Sequence, residues 1–340
     1  MRGTSLARVV VCALGLAIIP TICAQTYKVT ALPTLGGPSS QAFAINGTGQ
    51  ISGFASLSSS SAHAAIFHGT KVTDLGSLGG EYSEGLAINV SGQVVGYSTL
   101  ASGFYANFLY SGGVMTQLPD FGFGGGAATG INASGQVTGW ASTSSALEHA
   151  FFYSNGTITD IGTLGNGNQN SSASGINSTG QIVGYAYNNA GNFLAFVWQN
   201  GVMTSLGTLG GTWSSAAAIN DAGQIAGTGY LPGNTGAHAF LFSNGRMTDI
   251  DTRHSQYSDG LAINSAGVVV GQMSVKGGQT LNYHAFVISG GKMQDLNLLI
   301  PTGSGWVLQT ATGINDAGQI VGYGLLRKQL RGFLLTPAAQ

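Results

Sequence analysis

Four histidines occupy one recurring position in the sequence, and imidazole is a common zinc ligand. They are His63, His149, His238 and His284. A zinc site gathers its ligands about 2 Å from one ion, whereas one position repeated in different copies of a unit places these side chains on separate units. The pattern therefore predicts hydrogen-bonded structural histidines, with no metal site and no cofactor.

The acidic residues show no catalytic spacing. Four of the twelve recur at one position of a strand that is predicted to be outermost: Asp74, Asp160, Asp249 and Asp295. The turns that hold Asp221 and Asp316 provide one carboxylate each, whereas calcium takes six to eight oxygen ligands. Glycoside hydrolysis needs paired carboxylates, and acyl transfer needs a nucleophile, a base and an orienting group. The sequence favours a protein that is not an enzyme.

These residues belong to a unit of roughly 44 residues that occurs seven times. Its clearest anchor, Ile-Asn-x-x-Gly-Gln-[Ile/Val]-x-Gly, begins at Ile45, Ile88, Ile131, Ile176, Ile219, Ile263 and Ile314. Only the sixth copy lacks the glutamine, which Val268 replaces. A His-Ala-Phe-like segment follows each anchor, and the fullest copies add Asp-Leu-Gly-Thr-Leu-Gly-Gly.

Each unit is predicted to contain four short strands, as in one blade of a β-propeller. The Asn-x-x-Gly segment suits a type I turn with a left-handed glycine between strands one and two. Pairs such as Asn155-Gly156 suit the hairpin between strands three and four. The second and fourth residues before each anchor asparagine are always Ala or Gly, so one face of strand one is small. Strand one is therefore expected to be innermost and strand four outermost.

The two ends of the chain are out of phase with the repeat. Residues Lys28–Gly37 match the fourth strand at Lys71–Gly80, and the chain stops after a third strand at Gly332. In an open solenoid this offset between the ends would bring no additional pairing. In a ring the first strand pairs with the last unit, and this pairing removes two exposed sheet edges. The predicted fold is an all-β, seven-bladed β-propeller with four strands per blade, closed by the N-terminal strand completing the last blade. It forms one domain over residues 25–340.

Residues 1–24 are predicted to be a secretory signal peptide. Arg2 and Arg8 precede the apolar run Val9–Ile19, which is short for a membrane span, and the small residue Ala24 follows. Loss of this segment removes both cysteines and takes the formal charge from −1 to −3. With no basic run, nucleic acid is a poor partner. We expect a secreted or extracytoplasmic monomer, in a periplasm or outside the cell, with no membrane insertion after cleavage.

The His-Ala-Phe, Asp-Leu-Gly-Thr-Leu-Gly-Gly and Ile-Asn-Asp-Ala-Gly-Gln-Ile-Val-Gly segments resemble the bacterial extracellular HAF repeat family, over essentially all of Gln25–Gln340. The resemblance implies an exported bacterial repeat protein, and it brings no established reaction or catalytic residues. Three copies depart from the histidine, with Ala106, Leu194 and Arg331 in its place.

The candidate binding residues come from positions where the copies differ, at the start of strand one. They are Tyr82, Glu84, Asn170, Trp213, Tyr257, Asp259 and Trp306. Aromatic rings with a few polar groups suit stacking on a sugar or contact with a peptide, so a glycan or an extracellular protein is the expected partner. Three alternatives stay open: the rings pack between blades, Glu84 and Asp259 serve a hydrolase or lyase, or the protein is a structural envelope or matrix component.

Overall fold

The computed structural model describes residues 25–58, 60–143, 147–275 and 282–338, and the predicted signal peptide lies outside these ranges. This part of the chain forms 28 β-strands, with two 3-10 turns at Pro232–Asn234 and Leu296–Leu298 and no α-helix. Neither turn is long enough to cross a membrane, and no other helix is found in the described residues. The short turns are the one departure from the expectation of strands alone.

The strands form seven four-stranded antiparallel units in chain order, and a parallel bridge between Ala62 and Tyr82 joins the first two units into one eight-stranded sheet. The first strand, β1, is Tyr27–Ala31. Units 1 to 4 are β2 (Ser40–Ile45), β3 (Ile51–Ser56), β4 (Ala62–His68), β5 (Lys71–Asp74); β6 (Gly79–Ile88), β7 (Val94–Leu100), β8 (Tyr105–Ser111), β9 (Val114–Gln117); β10 (Gly126–Ile131), β11 (Val137–Ser142), β12 (Glu148–Ser154), β13 (Thr157–Asp160); and β14 (Ser171–Ile176), β15 (Ile182–Tyr187), β16 (Phe193–Gln199), β17 (Val202–Gly207). Units 5 to 7 are β18 (Ser214–Ile219), β19 (Ile225–Tyr230), β20 (Ala237–Ser243), β21 (Arg246–Asp249); β22 (Ser258–Ile263), β23 (Val269–Val275), β24 (Asn282–Ser289), β25 (Lys292–Asp295); and β26 (Trp306–Ile314), β27 (Ile320–Leu326), β28 (Gln329–Pro337), completed by β1.

The N-terminal strand is the fourth strand of unit 7. β1 pairs antiparallel with β28, from Tyr27 opposite Pro337 to Ala31 opposite Phe333. The edge that the seventh unit would otherwise expose is therefore hydrogen-bonded, although its two strands lie more than 300 residues apart in sequence.

The first strand of every unit lies innermost, as its small residues predict. Residues from all seven first strands line one central cavity of about 290 Å³. Each first strand also has a β-bulge just before its repeat asparagine. The bulge residues, which face this cavity, are Phe43, Leu86, Thr129, Ser174, Ala217, Leu261 and Thr312.

The bulge explains the second glycine of the repeat anchor, for which the turn gave no reason. At Gly53, a Cβ atom would overlap the carbonyl oxygen of Gln41 on the bulged strand. The same overlap with the first strand occurs at Gly96, Gly139, Gly184, Gly227, Gly271 and Gly322. The turn glycine is constant for the reason that the sequence predicts, since its φ lies between +72° and +83° in the seven turns.

The hydrophobic core lies between neighbouring units rather than inside single sheets. One cluster packs Val95 and Leu109 of unit 2 against Ala128 and Phe151 of unit 3. Each unit contributes one fully buried phenylalanine: Phe67, Phe108, Phe151, Phe196, Phe240, Phe286 and Phe333. Because a unit buries its apolar face only against its neighbours, no unit has a complete core by itself.

The repeat asparagines link each unit to the next through buried hydrogen bonds. The Nδ2 of Asn46 donates to the backbone carbonyl of Asn89 (2.9 Å). The same bond joins Asn89 to Asn132, Asn132 to Asn177, Asn177 to Asn220, Asn220 to Asn264, and Asn264 to Asn315, at 3.0–3.3 Å. Asn315 in turn donates to the carbonyl of Asn46 (3.1 Å), which links unit 7 to unit 1.

Each of these asparagines also holds its own turn. The Oδ1 of Asn132 accepts the backbone N–H groups of Ser134 and Gln136, and its Nδ2 donates to the Gln136 side chain as well. This bond to the side-chain oxygen explains the repeat glutamine. Val268 has no side-chain oxygen that could accept this bond. In the described part of unit 6, the Nδ2 of Asn264 therefore donates only to the next unit, at 3.3 Å.

We predict that Asn132→Ala lowers the free energy of unfolding by about 2 kcal/mol more than Asn188→Ala. Asn188 is a matched control because its Oδ1 accepts the same two turn N–H groups, from Ala190 and Asn192. In the described residues, its side chain makes no bond to another unit. Urea unfolding measures both effects, and equal losses would show that the bond between units contributes little.

Candidate functional site

The recurring histidines each bond to the recurring aspartate of the same unit. The Nδ1 of His149 lies 2.7 Å from a carboxylate oxygen of Asp160. The other pairs are His63 with Asp74, His238 with Asp249 and His284 with Asp295, at 2.7–2.9 Å. The histidines are hydrogen-bonded, as the sequence analysis expects. Among the described residues, no three metal-binding side chains come together.

The aspartate also holds the turn that leaves the fourth strand. One carboxylate oxygen of Asp160 accepts the N–H of Gly162 (2.7 Å). The histidine and aspartate are present or absent together. Units 2, 4 and 7 lack both, with Ala106 and Gln117, Leu194 and Ser205, and Arg331 and Ala31 at the two positions. The joint presence or absence of the two residues in each unit was therefore a sequence signal that they pair. The sequence analysis considered the histidines and the aspartates separately and missed this signal.

The two turn aspartates considered for calcium serve contacts between units. Asp221 accepts the N–H of Ser178 in the preceding unit (2.9 Å), and Asp316 accepts the N–H of Ser265 (2.9 Å). Each carboxylate thus accepts a backbone N–H group. An aspartate directly after the turn asparagine is explained by this contact with the preceding unit.

The predicted binding residues lie where first and third strands begin and second strands end, a surface we call the loop face. On this face, Tyr82 and Glu84 of unit 2 come together. The Tyr82 hydroxyl donates to the Glu84 carboxylate, and Tyr97 on the neighbouring strand, directly opposite Glu84, is a second partner. Burial raises the pKa of Glu84, and these two hydrogen bonds oppose that rise only in part. Burial and the nearby Glu84 charge raise the pKa of both tyrosines.

Aromatic contacts extend from this cluster across units 1 and 2. The ring of Tyr82 lies 6.2 Å from Phe54 and 6.2 Å from Tyr97, measured between centroids. Tyr97 then meets Tyr105 at 5.4 Å, edge to face. The rings thus follow the loop face from one unit to the next.

A groove of about 460 Å³ opens at the boundary of units 2 and 3. Its lining residues are Tyr97, Tyr105, Gly125, Gly126, Ala127, Trp140, Ser142 and Glu148. A second groove, of about 420 Å³, lies at the corresponding boundary of units 4 and 5, around Phe193, Trp213 and Tyr230. There the Trp213 ring packs 4.8 Å from Phe193 and 5.0 Å from Tyr230. Two sets of contacting rings thus lie on the loop face, and we call them, together with Trp140, the aromatic arc: Phe54, Tyr82, Tyr97 and Tyr105, then Tyr185, Phe193, Trp213 and Tyr230.

The loop face is polar in unit 6. Asp259 accepts hydrogen bonds from the Thr228 hydroxyl (2.9 Å) and from the Gln272 amide (2.8 Å). The Gln272 carbonyl oxygen accepts from Thr310 in unit 7 (2.9 Å). Asp259 therefore joins units 5, 6 and 7, while Glu84 has its tyrosine partners in unit 2. Among the described residues the two carboxylates share no hydrogen-bond partner.

The other predicted site residues are dispersed. The Asn170 side chain accepts the N–H of Glu148 (3.1 Å) and so holds the start of a third strand. Tyr257 forms an isolated bridge with Ala237. Trp306 packs against Phe333 (6.0 Å) and lines a separate cavity of about 630 Å³ beside β1. Which of these residues touch a ligand stays a prediction.

The second strands supply aromatic residues that the sequence analysis missed. The residue after the constant glycine is Phe54, Tyr97, Trp140, Tyr185, Thr228, Gln272 or Tyr323. Five of these seven are aromatic, and they stand opposite the start of the first strand. Aromatic residues are ordinary strand formers, so their exposure on one face was not apparent from strand propensity. The sequence signal that could have found these residues is that their position varies among the copies although it directly follows a constant glycine.

Comparison with solved structures identifies the fold class. A structure of YCF48 bound to D1 peptide is 11% identical, with a TM-score of 0.52, and the match covers 93% of this chain and 96% of that one. The likeness shows a β-propeller fold. TolB from Acinetobacter baumannii (12% identity, TM-score 0.45) matches over 93% of this chain, which spans 64% of TolB. The SapL1 lectin in complex with α-methyl fucoside (13%, 0.37) matches over 89% and 98% of the two chains. Protein-family models and curated proteins give no match.

The charges of this propeller are distributed unevenly along the chain. No lysine or arginine occurs between Lys71 and Arg246. The same stretch contains seven acidic residues: Asp74, Glu81, Glu84, Asp120, Glu148, Asp160 and Asp221. The units that carry most of the aromatic arc are therefore acidic, and an anionic ligand would find no cationic side chain in them.

The His238–Asp249 pair should stabilise the protein most at acidic pH. Burial alone would lower the pKa of His238, but Asp249, the Ser255 carbonyl and the charge of Asp251 together raise it above 6.5. A histidine with a raised folded-state pKa adds stability that is complete below its unfolded-state pKa and is lost as the pH rises through the folded-state value. We therefore expect His238→Ala with Asp249→Gln, the pair present in unit 2, to lower the unfolding midpoint more at pH 5.5 than at pH 8.5. A loss that is independent of pH would contradict this.

Proposed function

We propose that this chain is a closed, seven-bladed β-propeller that binds an extracellular glycan or protein through its loop face and has no enzymatic activity. Ring closure is supported by the pairing of β1 with β28, by the hydrogen bond from Asn315 to Asn46, and by the shared central cavity. The guanidinium of Arg331 in unit 7 also donates to the Pro38 carbonyl, which leads into unit 1.

The aromatic arc is the observation that carries the binding function. Apart from Phe54, which is buried, its rings are not absorbed into the core between units, because Tyr105 keeps 50% of its surface exposed and other rings line the two open grooves. Rings at a surface provide large contact areas with little loss of side-chain entropy, which suits the flat faces of sugars and the side chains of peptides.

A hydrolase or lyase based on Glu84 and Asp259 receives less support. Retaining and inverting glycosidases place two carboxyl groups on either side of one bond, roughly 5 to 10 Å apart. Here each carboxylate is engaged in its own network, in units 2 and 6. A purely structural protein would have no need of open aromatic grooves at two equivalent boundaries.

Export and family membership belong to the same proposal. The N-terminal segment favours secretion, and the repeat segments favour the HAF repeat family. Both agree with a ligand met outside the cytoplasm.

A binding screen of the protein lacking residues 1–24, against glycans and secreted proteins, tests the function. For a ligand of the loop face, we expect Tyr82→Ala or Trp213→Ala to weaken binding about tenfold or more, because each removes a ring of the aromatic arc. Trp198→Ala is the matched control, since Trp198 also packs beside another ring, Phe152 at 5.7 Å, but lies at the opposite end of its blade.

Thermal unfolding would establish that all three variants are folded. If a ligand were found and both arc variants bound it normally, the assignment of the loop face would be wrong. Turnover of a glycan or peptide by the wild-type protein would contradict the absence of enzymatic activity.

A further inference from the structure

The groove between units 2 and 3 lies where an aromatic side chain of two other units is replaced by glycine. Gly125 stands seven residues before its repeat asparagine, the place that Trp213 has in unit 5 and Tyr82 in unit 2. In unit 5, Trp213 packs against the ring of Phe193, which corresponds to Tyr105 of unit 2. With glycine at 125, the space between Tyr105 and Trp140 has no side chain of its own.

The next residue of the chain is a glycine as well. Gly126 replaces the serine that five other units use to bond the third strand of the preceding unit. A Cβ atom at 126 would lie 2.7 Å from both the Asn107 amide and the Trp140 carbonyl. Asn107 is 2% exposed and stands where the other units have Ala or Gly. The Asn107 side chain therefore takes the space that the serine has in other units, and the groove is left open by Gly125.

The lining of the groove presents ring faces and a carboxylate, which attract a cation. The faces of Tyr97, Tyr105 and Trp140 are the negative regions of their quadrupoles. Glu148 adds a carboxylate that has no hydrogen bond or ion pair among the described residues, where every ion pair joins a histidine to an aspartate. Glu84 lies behind Tyr97 as its hydrogen-bond partner. A cation complements all of these groups at once, and lysine and arginine are absent from the surrounding units.

We propose that this groove binds an alkylammonium cation, held against the rings of Tyr97, Tyr105 and Trp140 and neutralised by Glu148. Methylated ammonium suits such a site because its charge is spread over apolar groups that contact ring faces and lose little hydration. The inference rests on the proposed ligand-binding role of the loop face and names the chemistry of one ligand group.

The test is a titration of the mature protein with choline and with its uncharged isostere 3,3-dimethyl-1-butanol, followed by calorimetry and tryptophan fluorescence. We expect choline to bind at least about tenfold more tightly than the isostere, because only the charge differs. Glu148→Gln should remove most of this preference, and Trp140→Ala should abolish binding. Glu81→Gln, which neutralises an exposed carboxylate outside the groove, is the control and should change little.

Equal binding of choline and the isostere would overturn the proposal, and so would absence of choline binding at millimolar concentration. Choline binding that survives both Glu148→Gln and Trp140→Ala would place the cation elsewhere and would also overturn it. A neutral glycan that depends on Tyr82 or Trp213 but not on Glu148 would leave the proposed function intact while the cation site fails. If no ligand of the loop face were found, both the proposed function and the cation site would be contradicted.

The source of the ammonium group is distinguished by comparing choline with a peptide containing trimethyllysine. Tighter binding of the peptide identifies a polypeptide side chain, and tighter binding of choline identifies a small molecule or a headgroup. Either result, if lost in Glu148→Gln, supports the cation site.

Discussion

One carboxamide in each unit holds both its own turn and the next unit. The Oδ1 of each repeat asparagine accepts turn N–H groups, while its Nδ2 donates to the backbone carbonyl of the following asparagine. These groups are buried, at 3% to 7% exposure, so a missing partner would leave an unsatisfied polar group without water. Apolar packing between units has no preferred direction, whereas this bond has one donor and one acceptor. It therefore defines the register in which one blade follows another.

Most of the fold follows from the repeat, and the reason is geometric. Four strands per unit, a left-handed turn glycine and an inner strand of small residues are local consequences of spacing and crowding, and all are observed. The bond between asparagines was not predictable because the turn alone already accounts for Asn-x-x-Gly. The glycine at positions such as Gly53 was not predictable either, because the bulge opposite it is a property of strand pairing.

The candidate site was predictable only in outline. Variation among the copies pointed to the start of the first strands, and Tyr82 and Trp213 do belong to the aromatic arc. Asn170 and Asp259 instead hold neighbouring strands through hydrogen bonds, and Trp306 lies by another cavity. A polar side chain at a variable position is ambiguous in sequence, since it can face a ligand or satisfy a backbone group. Trp140 was missed because an aromatic residue in a strand is ordinarily assigned to packing.

A repeat ring offers a simple physical route to a binding site. Every boundary between blades has the same backbone, held by the same asparagine bond and by the same packing between units. Side chains near the loop face can therefore change in one unit without loss of the fold, as the replacement of the histidine and aspartate pair in units 2, 4 and 7 illustrates. At the boundary of units 2 and 3, the change is the loss of a side chain at Gly125, which leaves rings and a carboxylate around open space. Which ligand group fits such a site is determined by the rings and the carboxylate of the neighbouring units, and by the absence of a side chain at one position of the repeat.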